Sequence, residues 1–156
     1  MKLIMDEQTR IAQSRVTFVR LARMQLRLMD LWREGAGGHQ EALVQMAVGA
    51  ILGDKVTRVE LDANIRSLSN PMPVTQRTKC NLSSISAGTG LNRATVRRVV
   101  NRLIESGPLV RSADGSINFI DGWSQGAETQ RLGEAQLNEF SRTANLLLRD
   151  GVLLCE

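Results

Sequence analysis

The 156-residue chain has no tyrosine, three phenylalanines and two tryptophans, so aromatics make up only 3% of it. Binders of single-stranded nucleic acid stack bases on aromatic rings, and too few rings are present here to build that platform. His39 is the only histidine. A Ser-His-Asp arrangement would have to be built around it alone, and no candidate nucleophile stands near it in sequence. Its place beside Gly38, at the start of a helical stretch, suits a surface or capping role. The sequence contains no GxxxxGK[ST], no GxGxxG and no Cys/His cluster with zinc spacing. Acidic residues are scattered, with no carboxylate pair set out for acid–base work. These absences predict a protein that is not an enzyme and needs neither cofactor nor metal. Cys80 and Cys155 lie far apart and match no ligand spacing. They read as two inert thiols or as an intersubunit or sensing disulfide, and a reduced, cytoplasmic setting is expected. The opening MKLIMDEQTR has too short an apolar run for a signal peptide. The most apolar stretch, residues 42–53, is too short to cross a bilayer. A soluble chain with no membrane partner is expected.

What is present concentrates between Leu82 and Phe119, LSSISAGTGLNRATVRRVVNRLIESGPLVRSADGSINF. This run predicts a short helix, a tight turn, a second helix rich in arginine, and a two-stranded hairpin. Gly90 supplies the turn, because glycine enters positive φ without steric cost. Gly88-Thr89-Gly90 therefore belongs to that turn and not to a nucleotide loop. Leu91 is an apolar plug, and Asn92 is a good N-cap for the next helix. In that helix Val96, Val99, Val100 and Leu103 recur at helical spacing as one buried stripe. Arg97, Arg98, Asn101 and Arg102 fall away from the stripe, with Arg93 in the first turn. Gly107-Pro108 stops the helix, and Asp114-Gly115 is a hairpin turn signal between VRSA and SINF. A helix presenting arginines, held by a smaller helix and followed by a hairpin, suits a DNA major groove flanked by phosphates.

The run SISAGTGLNRATVRRVVNRLIESGPLVR resembles the winged helix-turn-helix of bacterial transcriptional regulators of the MarR and IclR kinds. The resemblance covers about a quarter of the chain and rests on the Gly-Leu-Asn turn, the Thr-Val-Arg-Arg helix start and the Leu-Ile-Glu-Ser-Gly end. It implies that Arg93, Thr95, Arg97, Arg98 and Asn101 face DNA and that Arg111 to Asn118 form the wing. One departure from the compact family pattern is a Pro-containing segment between the first and second helices of the domain.

Charge tracks the motif. The net charge is +4. Residues 76–111 hold seven Lys/Arg (Arg77, Lys79, Arg93, Arg97, Arg98, Arg102, Arg111) against Glu105 alone. Residues 112–156 hold three basic residues against seven acids. A solvated basic face would not by itself predict that positive charge coincides with the helix-turn-helix; a DNA footprint does.

Around the motif, residues 14–33 predict an amphipathic helix, with Ile11, Phe18, Leu21, Leu28 and Trp32, widened by Met24 and Leu31, on one face. Arg20, Arg23 and Arg27 occupy the opposite face, which reads as solvated, with a second DNA contact as the rival. The apolar stripe packs either on its own domain or on a partner subunit. Residues 40–52 predict a helix apolar on nearly all sides, buried as the first helix of the winged domain. Thr57-Arg58-Val59-Glu60 is a capping-box pattern opening a short helix to Asn70-Pro71, with Leu61, Ile65 and Leu68 on one face. A strand over 55–61 is the rival. Pro71-Met72-Pro73 makes an extended connector, and 77–80 a short strand beside the wing. Residues 121–126 form a loop whose Trp123 latches onto the domain. Residues 127–150 form a last amphipathic helix, striped with Leu137, Phe140, Ala144, Leu147 and Leu148.

The sequence therefore predicts a mainly α winged helix-turn-helix protein with a small β-hairpin wing and N- and C-terminal helical extensions. Residues 1–38 and 126–156 are the extensions and candidate dimer elements, and 39–125 the DNA-binding domain. The expected function is sequence-specific binding of duplex DNA in transcriptional regulation, as a homodimer. Two half-sites about 34 Å apart add the specificity that one helix lacks. Expected contacts are Asn92, Arg93, Thr95, Arg97, Arg98, Asn101 and Arg102 in the recognition helix, with Arg111, Ser112 and Ser116 in the wing. The alternative is a winged-helix module that binds protein and not DNA, since fold alone does not decide function.

Overall fold

A computed structural model of the protein describes residues 1–58 and 63–156. In chain order its elements are β1 (Leu3–Met5), α1 (Glu7–Ala12), α2 (Ser14–Ala36), α3 (His39–Leu52), α4 (Ala63–Arg66), α5 (Leu82–Thr89), α6 (Arg93–Ser106), β2 (Leu109–Arg111), β3 (Ile117–Phe119), α7 (Ala127–Arg149) and β4 (Leu153–Cys155). The protein is mainly helical, with two small antiparallel sheets, β1–β4 and β2–β3. The chain divides into two units, Met1–Trp32 with Leu132–Glu156, and Arg33–Arg131. No helix among the described residues is long and apolar enough to cross a membrane.

In the terminal unit β1 and β4 pair in the register Leu3↔Cys155, Ile4↔Leu154, Met5↔Leu153. The pairing runs out to the ends, where Lys2 N donates to Glu156 O at 2.6 Å and Glu156 N to Lys2 O at 2.9 Å. Neither strand was expected from the sequence, since three residues are too few to show a period of two. Ile11 does not belong to the long helix. It lies in α1, which Asp6 caps by accepting from Thr9 N at 2.8 Å. Helices α2 and α7 run antiparallel, joined by Arg20–Asp150 at 2.6 Å, Arg27–Glu139 at 3.3 Å and Trp32 Nε1 donating to Gln136 at 2.8 Å.

That seam corrects the expectation for the arginine row at Arg20 alone. Arg20 is half-buried against Asp150, just past the end of α7, whereas Arg23 and Arg27 are exposed as a solvated face requires, Arg27 with Glu139 as its partner. The apolar stripes are split: Leu147 is buried and Met24, Leu28, Leu31, Trp32, Ala144 and Leu148 are half-buried, while the other members turn outward. Ile11 is 61% exposed, Phe18 73%, Leu137 65% and Phe140 54%. A stripe drawn on a helical wheel marks what must be covered; it does not say which neighbour covers it.

The central unit has one core. Val44, Val48 and Leu52 of α3, Ile85 of α5, and Val96, Val99, Val100 and Leu103 of α6 meet Cys80, Leu109 and Ile117. Each such side chain contributes about 1.5–3 kcal/mol by leaving water. Helix α3 is buried as its composition requires, and Gln45 is the one polar side chain buried with it. His39 is its exposed first residue, and Gly38, not a side chain, stands at the N-cap. Burial also pushes the Cys80 thiol up to about 11, while Cys155 is exposed; both are free.

The stretch after α3 departs from expectation. Residues Asp54–Thr57 form a 3-10 turn, in which the Thr57 hydroxyl donates to Asp54 O at 3.0 Å rather than capping a helix. The capping-box residues Val59 and Glu60, and Leu61, lie outside the described residues. Only Ala63–Arg66 is helical among the described residues of this stretch, and residues 55–58 form no strand. Residues 77–80 are extended but make no strand either. One bond, Ile117 N to Cys80 O at 2.9 Å, ties them to β3.

Candidate nucleic-acid interface

The geometry of the site begins at the turn before α6. Gly90 ends α5 with φ 73°, and its N–H donates to Ser86 O. A side chain at that φ would be strained. The Ser86 hydroxyl donates to Leu91 O at 2.6 Å and closes the turn from inside, with Leu91 half-buried on the core. Asn92 then caps α6, its side chain accepting from Thr95 N at 2.8 Å. One end of α5 is fixed in the same way: Asn81 and Ser84 form a reciprocal capping box. With Val96, Val99, Val100 and Leu103 buried, the opposite face of α6 is set by helical geometry.

That outward face carries Arg93, Arg97, Arg98, Asn101 and Arg102, all exposed, with Thr95 half-buried at its edge. Arg93 and Arg97 have no partner among the described residues. Arg98 reaches the neutral Gln40 side chain at 3.3 Å. Arg102 is paired with Glu41 of α3 at 2.6 Å. Gln40 and Glu41 were not expected at this site. They lie about 60 residues away in sequence, and only the packing of α3 on α6 brings them there. Asn92 is exposed, but its side-chain oxygen is already used by the cap.

Strands β2 and β3 pair as Leu109↔Phe119, Val110↔Asn118 and Arg111↔Ile117. Arg111, the last residue of β2 before the turn, is exposed and donates to Asn101 at 3.5 Å, so the turn end of the hairpin and the α6 face are joined. The hairpin turn holds three residues, 113–115, rather than the two of Asp114-Gly115. Ser112 N donates to Ser116 O at 2.8 Å, and Gly115 takes φ 82°. This is the arrangement of a three-residue loop with a left-handed glycine.

Ser116 corrects the expected contact set. It is buried, and both its N–H (3.0 Å) and its hydroxyl (2.6 Å) donate to Asp114 Oδ1. It braces the hairpin tip and presents nothing outward. The bonds from Ser116, with Lys79 Nζ at 3.4 Å, hold the Asp114 carboxyl down at about 2. Ser112 is half-buried, accepting from Asn118 Nδ2 at 2.9 Å.

With Arg102 and Lys79 neutralised by acids, Arg93, Arg97, Arg98 and Arg111 are the cations of this face that meet no carboxylate among the described residues. Guanidinium groups so placed make planar, bidentate bonds to phosphate or to guanine edges. No group of three or more His, Cys, Asp or Glu suited to a metal ion occurs among the described residues. No protein-family model matches the chain, and no curated protein or solved structure matches it either, so its own geometry characterises this face.

Proposed function

We propose that residues 39–125 form a winged helix-turn-helix of the MarR and IclR kind that binds duplex DNA and regulates transcription. In this reading α6 is the recognition helix and β2–β3 the wing. The observation that carries the reading is the row Arg93, Arg97, Arg98 and Arg111, exposed around Asn101 and free of acids among the described residues. A helix built to bind protein needs no such row. Arg97 and Arg93 are the readers of base edge or phosphate, Arg98 and Arg111 the phosphate anchors. Arg102 supports the face through Glu41.

The protein acts as a twofold dimer in the cytoplasm, where its two unpaired cysteines stay reduced. The second copy covers the terminal unit. There the α2–α7 seam is polar while Phe18, Leu137 and Phe140 face outward, and among the described residues of that unit only Thr143, Leu147 and Val152 bury fully. Half a core completed by its own symmetry mate accounts for that inversion.

A mobility-shift titration with random duplex at two salt concentrations tests the DNA reading. Two to four phosphate contacts per subunit give log K against log salt a slope of about −2 to −4 per subunit. Arg97→Ala is expected to remove about 1–3 kcal/mol of discrimination between selected and random sites. Absence of binding at low salt overturns the reading and leaves a protein-binding module.

A further inference from the structure

We infer that Glu41 acts within the recognition surface as a stand-in for a DNA phosphate. It withholds Arg102 from DNA and so limits the affinity for duplex of any sequence. The inference rests on the proposed DNA binding, and it assigns that role to a residue of α3, outside the run 82–119. Four arginines project from α6, and among the described residues Arg102 alone of them meets a carboxylate.

Two features set this pair apart from a chance surface contact. The first is burial. The Glu41 side chain is only 15% exposed and that of Arg102 50%, so the acid is rooted in the fold and the cation reaches back to it. Lys79–Asp114, at 3.4 Å, is the contrast. Both of its side chains are more than half exposed, and a pair of that kind is worth little against a competing phosphate. The second feature is the room made for the carboxylate. Glu41 is the third residue of α3 after the N-cap Gly38, and no side chain caps this helix end. Its carboxylate folds back over Gly38, the place that a capping-box acid takes. A methyl group at 38 would collide with Oε2, while Oε1 holds Arg102 Nη2 at 2.6 Å. One oxygen thus lies at the positive end of the helix and the other on the guanidinium. Gly38 has φ 175°, extended backbone that any residue adopts, so its missing side chain serves the carboxylate and not the turn.

A guanidinium already neutralised inside the protein displaces no counterion when DNA arrives. A free one does, and each such contact steepens log K against log salt by about 0.9. That contribution is blind to sequence. Closing it at Arg102 weakens binding to every duplex alike and leaves discrimination to Arg93 and Arg97.

Mobility-shift titration of the full chain with random duplex, across a salt series, tests the inference. Arg102→Ala alone should leave the wild-type slope unchanged, because its guanidinium is already engaged. Glu41→Gln should steepen the slope by about one unit and raise affinity about tenfold at 0.1 M salt. Glutamine is also a capping-box residue, so the helix end is kept. Adding Arg102→Ala to Glu41→Gln should bring the wild-type slope back. Gly38→Ala should raise affinity at least twofold with no change of charge, since its methyl group drives only the flexible end of Glu41 off Arg102. Should Glu41→Gln fail to fold, Gly38→Ala carries the test. The inference is overturned if Arg102→Ala alone flattens the slope by a unit, or if the folded variants of Glu41 and Gly38 bind as wild type does. A wild type that binds no duplex even at low salt overturns the DNA reading and this inference with it, a result distinct from a binding wild type whose variants do not respond.

Discussion

Asp114 is held by its neighbours in a way that makes the hairpin tip sensitive to acid. Its carboxylate accepts both the N–H and the hydroxyl of Ser116, with Lys79 nearby, and these bonds place its folded pKa at about 2. Free aspartate titrates near 3.9. Because the folded value is the lower one, the tie is complete above about pH 4. It is lost as pH falls from about 4 through about 2. Followed by NMR, the Ser116 amide shift should titrate with a midpoint close to 2, and Asp114→Asn should erase that transition. A midpoint near 4 would show that the tie does not form in solution. Ser116 also marks the limit of residue-level reading. A serine beside a turn glycine looks available to a phosphate, and only its burial shows that it serves Asp114.

At the scale of elements, α6 and the hairpin divide the work in the proposed function. Bases are read from the helix, while Arg111, beside the hairpin turn, holds phosphate and carries no sequence information. Arg111→Ala is therefore expected to flatten the slope of log K against log salt by about one unit and leave site preference unchanged. A changed preference with an unchanged slope would reverse that assignment. Val100→Asp serves as the contrast. It buries an unpaired charge in the core, so it should unfold the central unit rather than tune binding.

The parts of the site legible in sequence are those whose causes are local. Gly90, Leu91, Asn92 and the apolar stripe to Leu103 specify the turn and α6 within fourteen residues, and the structure reproduces each of them. The stacking of Trp123 on Phe119 was legible as a latch for the same reason. What was not legible depends on distant partners. Glu41 on Arg102 and Gln40 on Arg98 carry no local signal. The three-residue strands β1 and β4 exist only through each other. Residues 54–57 form a 3-10 turn, which nothing local in the sequence distinguishes from the start of a helix; Val59, Glu60 and Leu61 of the expected helix lie outside the described residues.

For the whole molecule, the decisive question is what covers the terminal unit. Sedimentation at micromolar concentration should show a dimer. Phe18→Glu or Phe140→Glu should raise its dissociation constant at least tenfold and lower DNA affinity with it, because each places a charge on the outward stripe. A wild-type monomer that still binds duplex DNA tightly would remove the dimer from the proposal. The β1–β4 pairing has a separate, mechanical consequence. Leu3 lies opposite Cys155, and Lys2 exchanges backbone hydrogen bonds with Glu156, so both ends emerge on the same side of the ribbon. A pull applied to the two ends acts across the strands and loads one pair of bonds at a time, so the ribbon peels like a zipper. Its closure spans nearly the entire chain, the largest loop entropy this fold must overcome. Under tension it is therefore the first element to open, and on release the last to close.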